Sequence, residues 1–308
     1  MIIDFHACPS TDLLSIRNKL SLIKVMRAVL QPIDALPLLH ILPNEFFTEL
    51  SIEDPHSALL WGKYIERLTS LWSPRMYDNM KVWYEASTND YDFFIPFASI
   101  NPALGAKYVH EKLSELDNLG VQGIVVSPTL QLFDPVKAKA FRPILEYVER
   151  KDLLLVMHLD PCPRDVGICF KNLMPDALSE VLDRYSIRMV LSALGISESM
   201  IYPWLERITR LMKRYDKVYI ETSGISCILF NTLIGRNAVK SIGAERILYG
   251  GGYPFLRFRQ VIKNLNCVES SELSKRDLEA VLYDNAFDLL RDMGVSIDDE
   301  KIEEQKVI

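Results

Sequence analysis

Six short apolar stretches recur at intervals of roughly 30 residues through the last two thirds of the chain, and this repeat constrains the fold more than any other feature. They are centred near Phe97, Val125, Leu155, Val190, Tyr219 and Leu248. Between them run stripes at helical spacing, such as Leu178, Val181 and Leu182, or Trp204, Leu205, Ile208, Leu211 and Met212. Parallel strands need a crossover of a dozen residues or more, usually a helix, so the rhythm dictates repeated βαβ units. Two earlier strands complete the count. One opens the chain, a second is read over Leu36–Leu42, and Thr11–Leu30 between them reads as a helix carrying Leu14, Ile16, Leu20, Ile23 and Val25. Eight strands close a (β/α)8 barrel. An open doubly wound sheet is the alternative from pattern alone, but no GxGxxG turn follows the first strand.

The expected domain is one barrel over residues 1–294, with a helical insertion over about 43–90 and a charged tail over 295–308. Three of the four tryptophans, Trp61, Trp72 and Trp83, fall in the insertion, where they read as its core or as a lid over the barrel mouth. The tail, DDEKIEEQKVI, reads as a frayed end or as the arm of a homo-oligomer. A helix from about Lys275 to Met293 closes the fold, with Ser274 as N-cap and Asp277 three residues on. Breaks at Asn101-Pro102, Ser127-Pro128, Asp160-Pro161, Gly195, Gly224 and Gly250-Gly251-Gly252 each follow a strand. That is the face on which barrel enzymes keep their chemistry.

Charge and cysteines narrow the partners and the compartment. A net charge of −6 and a pI near 5.5 offer no basic stripe for phosphates, which argues against nucleic acid and anionic membranes. No apolar run approaches the ~20 residues of a spanning helix. A small-molecule ligand is the expected partner. Five cysteines, an odd number without paired spacing, and a strand beginning at residue 2 point to the cytoplasm.

Chemistry is concentrated in Met1–Pro9, MIIDFHACP. Side chains alternate along a strand, so Asp4, His6 and Cys8 are expected on one face, looking into one pocket. Taken alone this is a weak signal, because free cysteine is more often a small buried hydrophobe than a ligand.

IDFHACP resembles the IDxHxHxxP opening of the amidohydrolase-related family, in the TIM-barrel branch that contains aminocarboxymuconate-semialdehyde decarboxylase, with Cys8 at the second histidine. FASINP (Phe97–Pro102), GIVVSPTLQLFDP (Gly123–Pro135), VMH (Val156–His158), VLSALG (Val190–Gly195), VYIETSG (Val218–Gly224), AERILYGGGYP (Ala244–Pro254) and DNAFDLL (Asp284–Leu290) extend the resemblance nearly end to end. It implies a metal-dependent hydrolase or decarboxylase of a small molecule, with one divalent ion, zinc by ligand type, held by His6, Cys8 and His158. It also implies two losses. Ala193 stands where the family has a histidine, and Gly252 where it has the aspartate that ligates the metal and accepts the proton of the attacking water. Asp160, two residues beyond His158, is the expected stand-in base, and Glu221 the second candidate. The glycine run at 250–252 reads either as an anion-binding loop or as the remnant of a lost side chain. Two readings stay open: an enzyme with an altered, partly lost metal site, or a metal-free barrel kept as a binding or structural subunit.

Overall fold

The computed structural model describes residues 1–9, 12–34, 86, 92–131, 133–159, 174–192 and 201–295. Nine parallel segments form the barrel wall: β1 Ile2–Ala7, β2 Val25–Leu30, β3 Phe94–Pro96, β4 Ala98–Ser99, β5 Gly123–Val126, β6 Leu154–His158, β7 Arg188–Ser192, β8 Val218–Glu221 and β9 Ile247–Leu248. They pair in chain order, β1-β2-β3 and then β4 through β9. β3 and β4 are halves of one stave, interrupted at Phe97, whose N–H donates to Leu30 O at 3.0 Å and ties the two sheets together. The last strand returns to the first. Phe5 N donates to Tyr249 O and Cys8 N to Tyr253 O, both at 2.8 Å, and Ala7 bridges Tyr253. The eight staves therefore close, as the sequence predicts.

Closure sorts the apolar residues into two layers. Ile3, Phe5, Val29, Ile95, Phe97, Val125, Leu154, Val156, Val190 and Leu248 fill the lumen. Alternate strand residues, among them Ile124, Leu155, Met157, Leu191 and Ile220, face the surrounding helices. Strands buried on both faces read as unbroken apolar runs, which explains why β5 to β8 are visible in the sequence. The helix Ile201–Arg214 shows the other half of the pattern, burying Trp204, Leu205, Ile208, Leu211 and Met212 along one side. Each such side chain contributes about 1.5–3 kcal/mol when fully buried.

The first helix and second strand differ from expectation. The helix covers only Leu13–Leu22, capped by the Asp12 carboxylate, which accepts Ser15 N at 2.9 Å. Lys24 turns the chain at φ +62°, and Val25–Leu30, expected to be helical, pairs in parallel with β1. Leu36–Leu42, the insertion over about 43–90 except Ala86, and the tail after Val295 lie outside the described residues. The closing helix begins where expected, with Ser274 Oγ accepting Asp277 N at 3.1 Å, but a π-helical turn over Ala280–Asp284 separates Lys275–Glu279 from Asn285–Asp292.

A disulfide joins Cys227 to Cys267 and corrects the reading of the cysteines as unpaired, which removes the cysteine argument for a reducing compartment. The bridge links the helix Ser226–Asn231 to the helix Phe258–Glu269 across a separation of 40 residues. A loop of that size constrains the unfolded chain, so Cys227→Ser is expected to cost about 2–4 kcal/mol. Denaturant unfolding under non-reducing conditions checks this, and a change below about 0.5 kcal/mol would show that the bridge constrains nothing. No helix among the described residues is long and apolar enough to cross a membrane.

Candidate active site

The site grows from the ends of β1, β2, β6 and β8. In β1 the register slips between Asp4 and Ala7. Phe5 already faces the lumen against the Phe97 ring, at 6.1 Å between centroids, and strict alternation would turn His6 outward. The irregularity re-aims it, which is a common use of such features beside functional sites. His6 thus enters the mouth, where its ring lies 4.7 Å from that of His158 at the end of β6.

Asp4 does not follow. Its Oδ1 accepts His6 N at 2.9 Å and Gly251 N at 2.7 Å, and the expectation that Asp4, His6 and Cys8 share one face fails for Asp4. A side chain at Gly251 would meet Asp4 Oδ2 and Val261 of the helix Phe258–Glu269, so this carboxylate lies on the helix side of the wall. Among the described residues Oδ2 has no hydrogen-bond partner. Burial, opposed by the two N–H groups, raises the pKa of Asp4 to about 7.

Glu221 at the end of β8 holds His6 from behind. Its Oε1 lies 3.0 Å from His6 Nδ1, its Oε2 accepts Ser223 N at 2.7 Å, and the Ser223 hydroxyl donates to Oε1. Burial by itself would hold His6 neutral, but the Glu221 charge, with Cys8 beyond it, pushes the imidazole up to about 10. Burial likewise raises Glu221, yet the charge of His6 and hydrogen bonds from His6, Ser192 and Ser223 hold it down to about 2. The result is a buried imidazolium–carboxylate pair. Such a pair persists only when its remaining hydrogen-bonding groups are satisfied, as the two serines do here.

Cys8 takes the other side of the ring, with Sγ 3.5 Å from His6 Nε2. His158 is held differently. Gln31, at the end of β2, donates its amide to Phe5 O, which fixes the Gln31 Oε1 as an acceptor, and that oxygen lies 2.7 Å from His158 Nε2. His158 Nε2 therefore carries a proton. Burial and the adjacent His6 push its pKa down to about 3, so the ring is a neutral donor.

The family resemblance implies a divalent cation, and the described residues do not assemble a ligand set for one. The structure brings His6, Cys8 and His158 together, but His6 Nδ1 serves Glu221, His6 Nε2 faces the thiol, and His158 Nε2 donates to Gln31. Asp4 Oδ2, one of the buried oxygens without a hydrogen-bond partner among the described residues, faces the helix layer. Among the described residues no three His, Cys, Asp or Glu side chains are placed to share an ion. Asp160 and Ala193 lie outside the described residues.

The glycine run is explained by carboxylates. A Cβ at Gly250 would overlap Glu221 Oε2, and one at Gly251 would press on Asp4 Oδ2. The three N–H groups donate to Thr222 Oγ1, Asp4 Oδ1 and His6 O, at 3.2, 2.7 and 2.7 Å, so the anion-binding expectation is not met. Glu221 and Gln31 differ in how legible they are in the sequence. Glu221 was visible as a charge ending a buried strand, which requires a partner. Gln31 was hidden by the assignment of Thr11–Leu30 to a helix. His110 is exposed on the helix Ala106–Asp117, away from the site.

A family model described as amidohydrolase matches residues 74–291. The chain belongs to the amidohydrolase family. Solved structures share the barrel at low identity. An uncharacterised TIM-barrel protein from Bordetella bronchiseptica is 15% identical, covering 96% of this chain and 99% of its own, at a TM-score of 0.67. The 2,6-dihydroxybenzoate decarboxylase from Rhizobium is 15% identical over 94% of this chain and 98% of its own, at 0.58. A dihydroxybenzoic acid decarboxylase from a Polaromonas species, with bound manganese and an inhibitor, is 16% identical over 94% and 96%, at 0.55. None of the curated protein sequences matches the chain. At these identities the structural likeness shows the fold of this amidohydrolase-family chain and nothing finer.

Proposed function

We propose that this amidohydrolase-family barrel is a small-molecule hydrolase or decarboxylase whose centre works without a bound divalent ion. The observation that carries the reading is at His158, whose Nε2 donates to Gln31 Oε1 and so carries a proton where a metal would need a bare nitrogen. Decarboxylases among the structural neighbours support the substrate class, a small carboxylated or cyclic compound. An imidazolium at His6, with Nε2 on the side of the half-buried Cys8, suits a substrate that gains negative charge as it reacts.

Elemental analysis of protein purified without chelator is expected to find far less than stoichiometric zinc or manganese. Turnover should be sought over a panel of aryl carboxylates, followed by CO2 release, and of lactones and esters, and it should be indifferent to EDTA. Activity that disappears with EDTA and returns with Mn²⁺ would overturn the metal-free centre. A panel without any turnover would overturn the enzymatic reading and leave a ligand-binding barrel.

A further inference from the structure

The barrel mouth lines up a thiol, an imidazole and a carboxylate. Cys8 Sγ is 3.5 Å from His6 Nε2, and His6 Nδ1 is 3.0 Å from Glu221 Oε1. His6 and Glu221 are fully buried, whereas Cys8 is free and only half-buried. A cysteine without a task is usually buried as a small apolar group. Cys8 instead keeps an open side at the catalytic end of β1, and its backbone is fixed by donation to Tyr253 O at 2.8 Å. The alignment depends on features that otherwise have no purpose. The slip in β1 turns His6 inward, and glycine at 250 leaves the space that Glu221 fills. Nucleophile, base and orienting carboxylate in this order are the arrangement by which acyl-transfer enzymes activate a side chain, on several unrelated folds.

We infer that Cys8 is a covalent nucleophile toward small acyl compounds, such as esters, thioesters or lactones, with His6 as its proton acceptor and Glu221 as the residue that positions His6. The inference rests on the metal-free reading above and deepens it by choosing hydrolysis over decarboxylation. In the first half-reaction His6 Nε2 already holds the proton that the thiol gives up, as the imidazolium paired with Glu221, and sulfur attacks the carbonyl carbon, forming a C–S bond. The tetrahedral adduct then collapses with loss of the C–O or C–S bond to the leaving group, which takes the proton from His6. Water attacks the resulting thioester, giving a proton to His6 Nε2. The C–S bond breaks, the acid leaves, and the proton taken from water stays on His6 Nε2 beside the freed sulfur. Substrate plus water gives acid plus alcohol or thiol, with nothing oxidised or reduced.

Two measurements on the full chain test this. In the native protein, iodoacetamide should alkylate Cys8 at least about tenfold faster than it alkylates glutathione at the same pH, because His6 Nε2, 3.5 Å away, takes the thiol proton. Peptide mapping separates Cys8 from Cys162 and Cys169. With p-nitrophenyl acetate, an acetyl group should appear on Cys8, and Cys8→Ala and Cys8→Ser should each lower p-nitrophenolate release by roughly 10²-fold or more. Alkylation no faster than glutathione, or acetylation at another residue, would overturn the nucleophile, and the labelling result does not depend on either variant folding. EDTA-indifferent turnover that survives Cys8→Ala would remove the thiol role and leave the metal-free enzyme standing. Turnover that requires added Mn²⁺ would remove both.

Discussion

Glu221→Leu is expected to destabilise the protein by roughly 3–5 kcal/mol, because it leaves His6 buried and charged with its partner gone. Glu221 and His6 are both fully buried, at 0% exposure, and no solvent can take over the role of the carboxylate. The substitution also strands the Ser223 N–H, which donates to the same carboxylate. His6 can escape part of the cost by losing its proton. A neutral ring keeps the Ser223 hydroxyl, 3.1 Å from Nδ1, as its partner, so the remaining loss falls on the Ser223 N–H, and a buried polar atom without a partner costs about 1–3 kcal/mol. The double variant Glu221→Leu with His6→Leu should recover a good part of the loss, since replacing a whole buried pair by apolar groups is often close to neutral. Chemical denaturation checks both, read as a shift in midpoint at unchanged slope. A single-variant loss below about 1 kcal/mol would mean that the pair is not the buried ion pair its 3.0 Å contact indicates.

The barrel itself was legible because its strands are covered on both faces. Runs such as GIVV, LLVMH and RMVLS are nearly uninterrupted, and the stripes between them repeat at helical spacing. The second strand was not legible. VMRAVL carries Arg27 and continues the phase of Ile16, Leu20 and Ile23, and the break falls at Lys24, a residue with no turn signature. That one error of boundary concealed Gln31 and with it the tautomer of His158. At the site, residue types were legible and directions were not. His6, Cys8 and His158 were expected to converge, and they do, but a one-residue slip in β1 decides that His6 enters the mouth while Asp4 turns to the helices. A register irregularity leaves no mark in the side-chain alternation that would reveal it. The glycine run misled for the same reason, since what forbids a side chain at Gly250 and Gly251 lies more than two dozen residues away in one case and at the start of the chain in the other.

Asp4 supplies a test in which pH does the work. Its carboxyl is raised from an ordinary 3.8 to about 7 by burial, against the two N–H groups that it accepts. An acid whose folded pKa is raised holds its proton in the folded chain after the unfolded chain has released it. Its contribution to stability is therefore lost as pH climbs from about 4 to 7, and the loss is complete above the folded value. At 1.36 kcal/mol per unit the shift corresponds to an upper bound of roughly 4 kcal/mol. Asn at position 4 keeps an oxygen for His6 N and Gly251 N but cannot ionise. Its amide would stand where Asp4 Oδ2 finds no hydrogen-bond partner among the described residues, at a cost of about 1–3 kcal/mol that is the same at every pH. Asp4→Asn is thus expected to be less stable than the parent near pH 4.5 and to gain on it steadily, reaching or passing it by pH 8. Unfolding free energies of both proteins at the two pH values give the difference in slope, in which the constant amide cost cancels. Equal slopes would mean that Asp4 is already ionised when folded, with its second oxygen reaching water or a donor from the helix side of the wall.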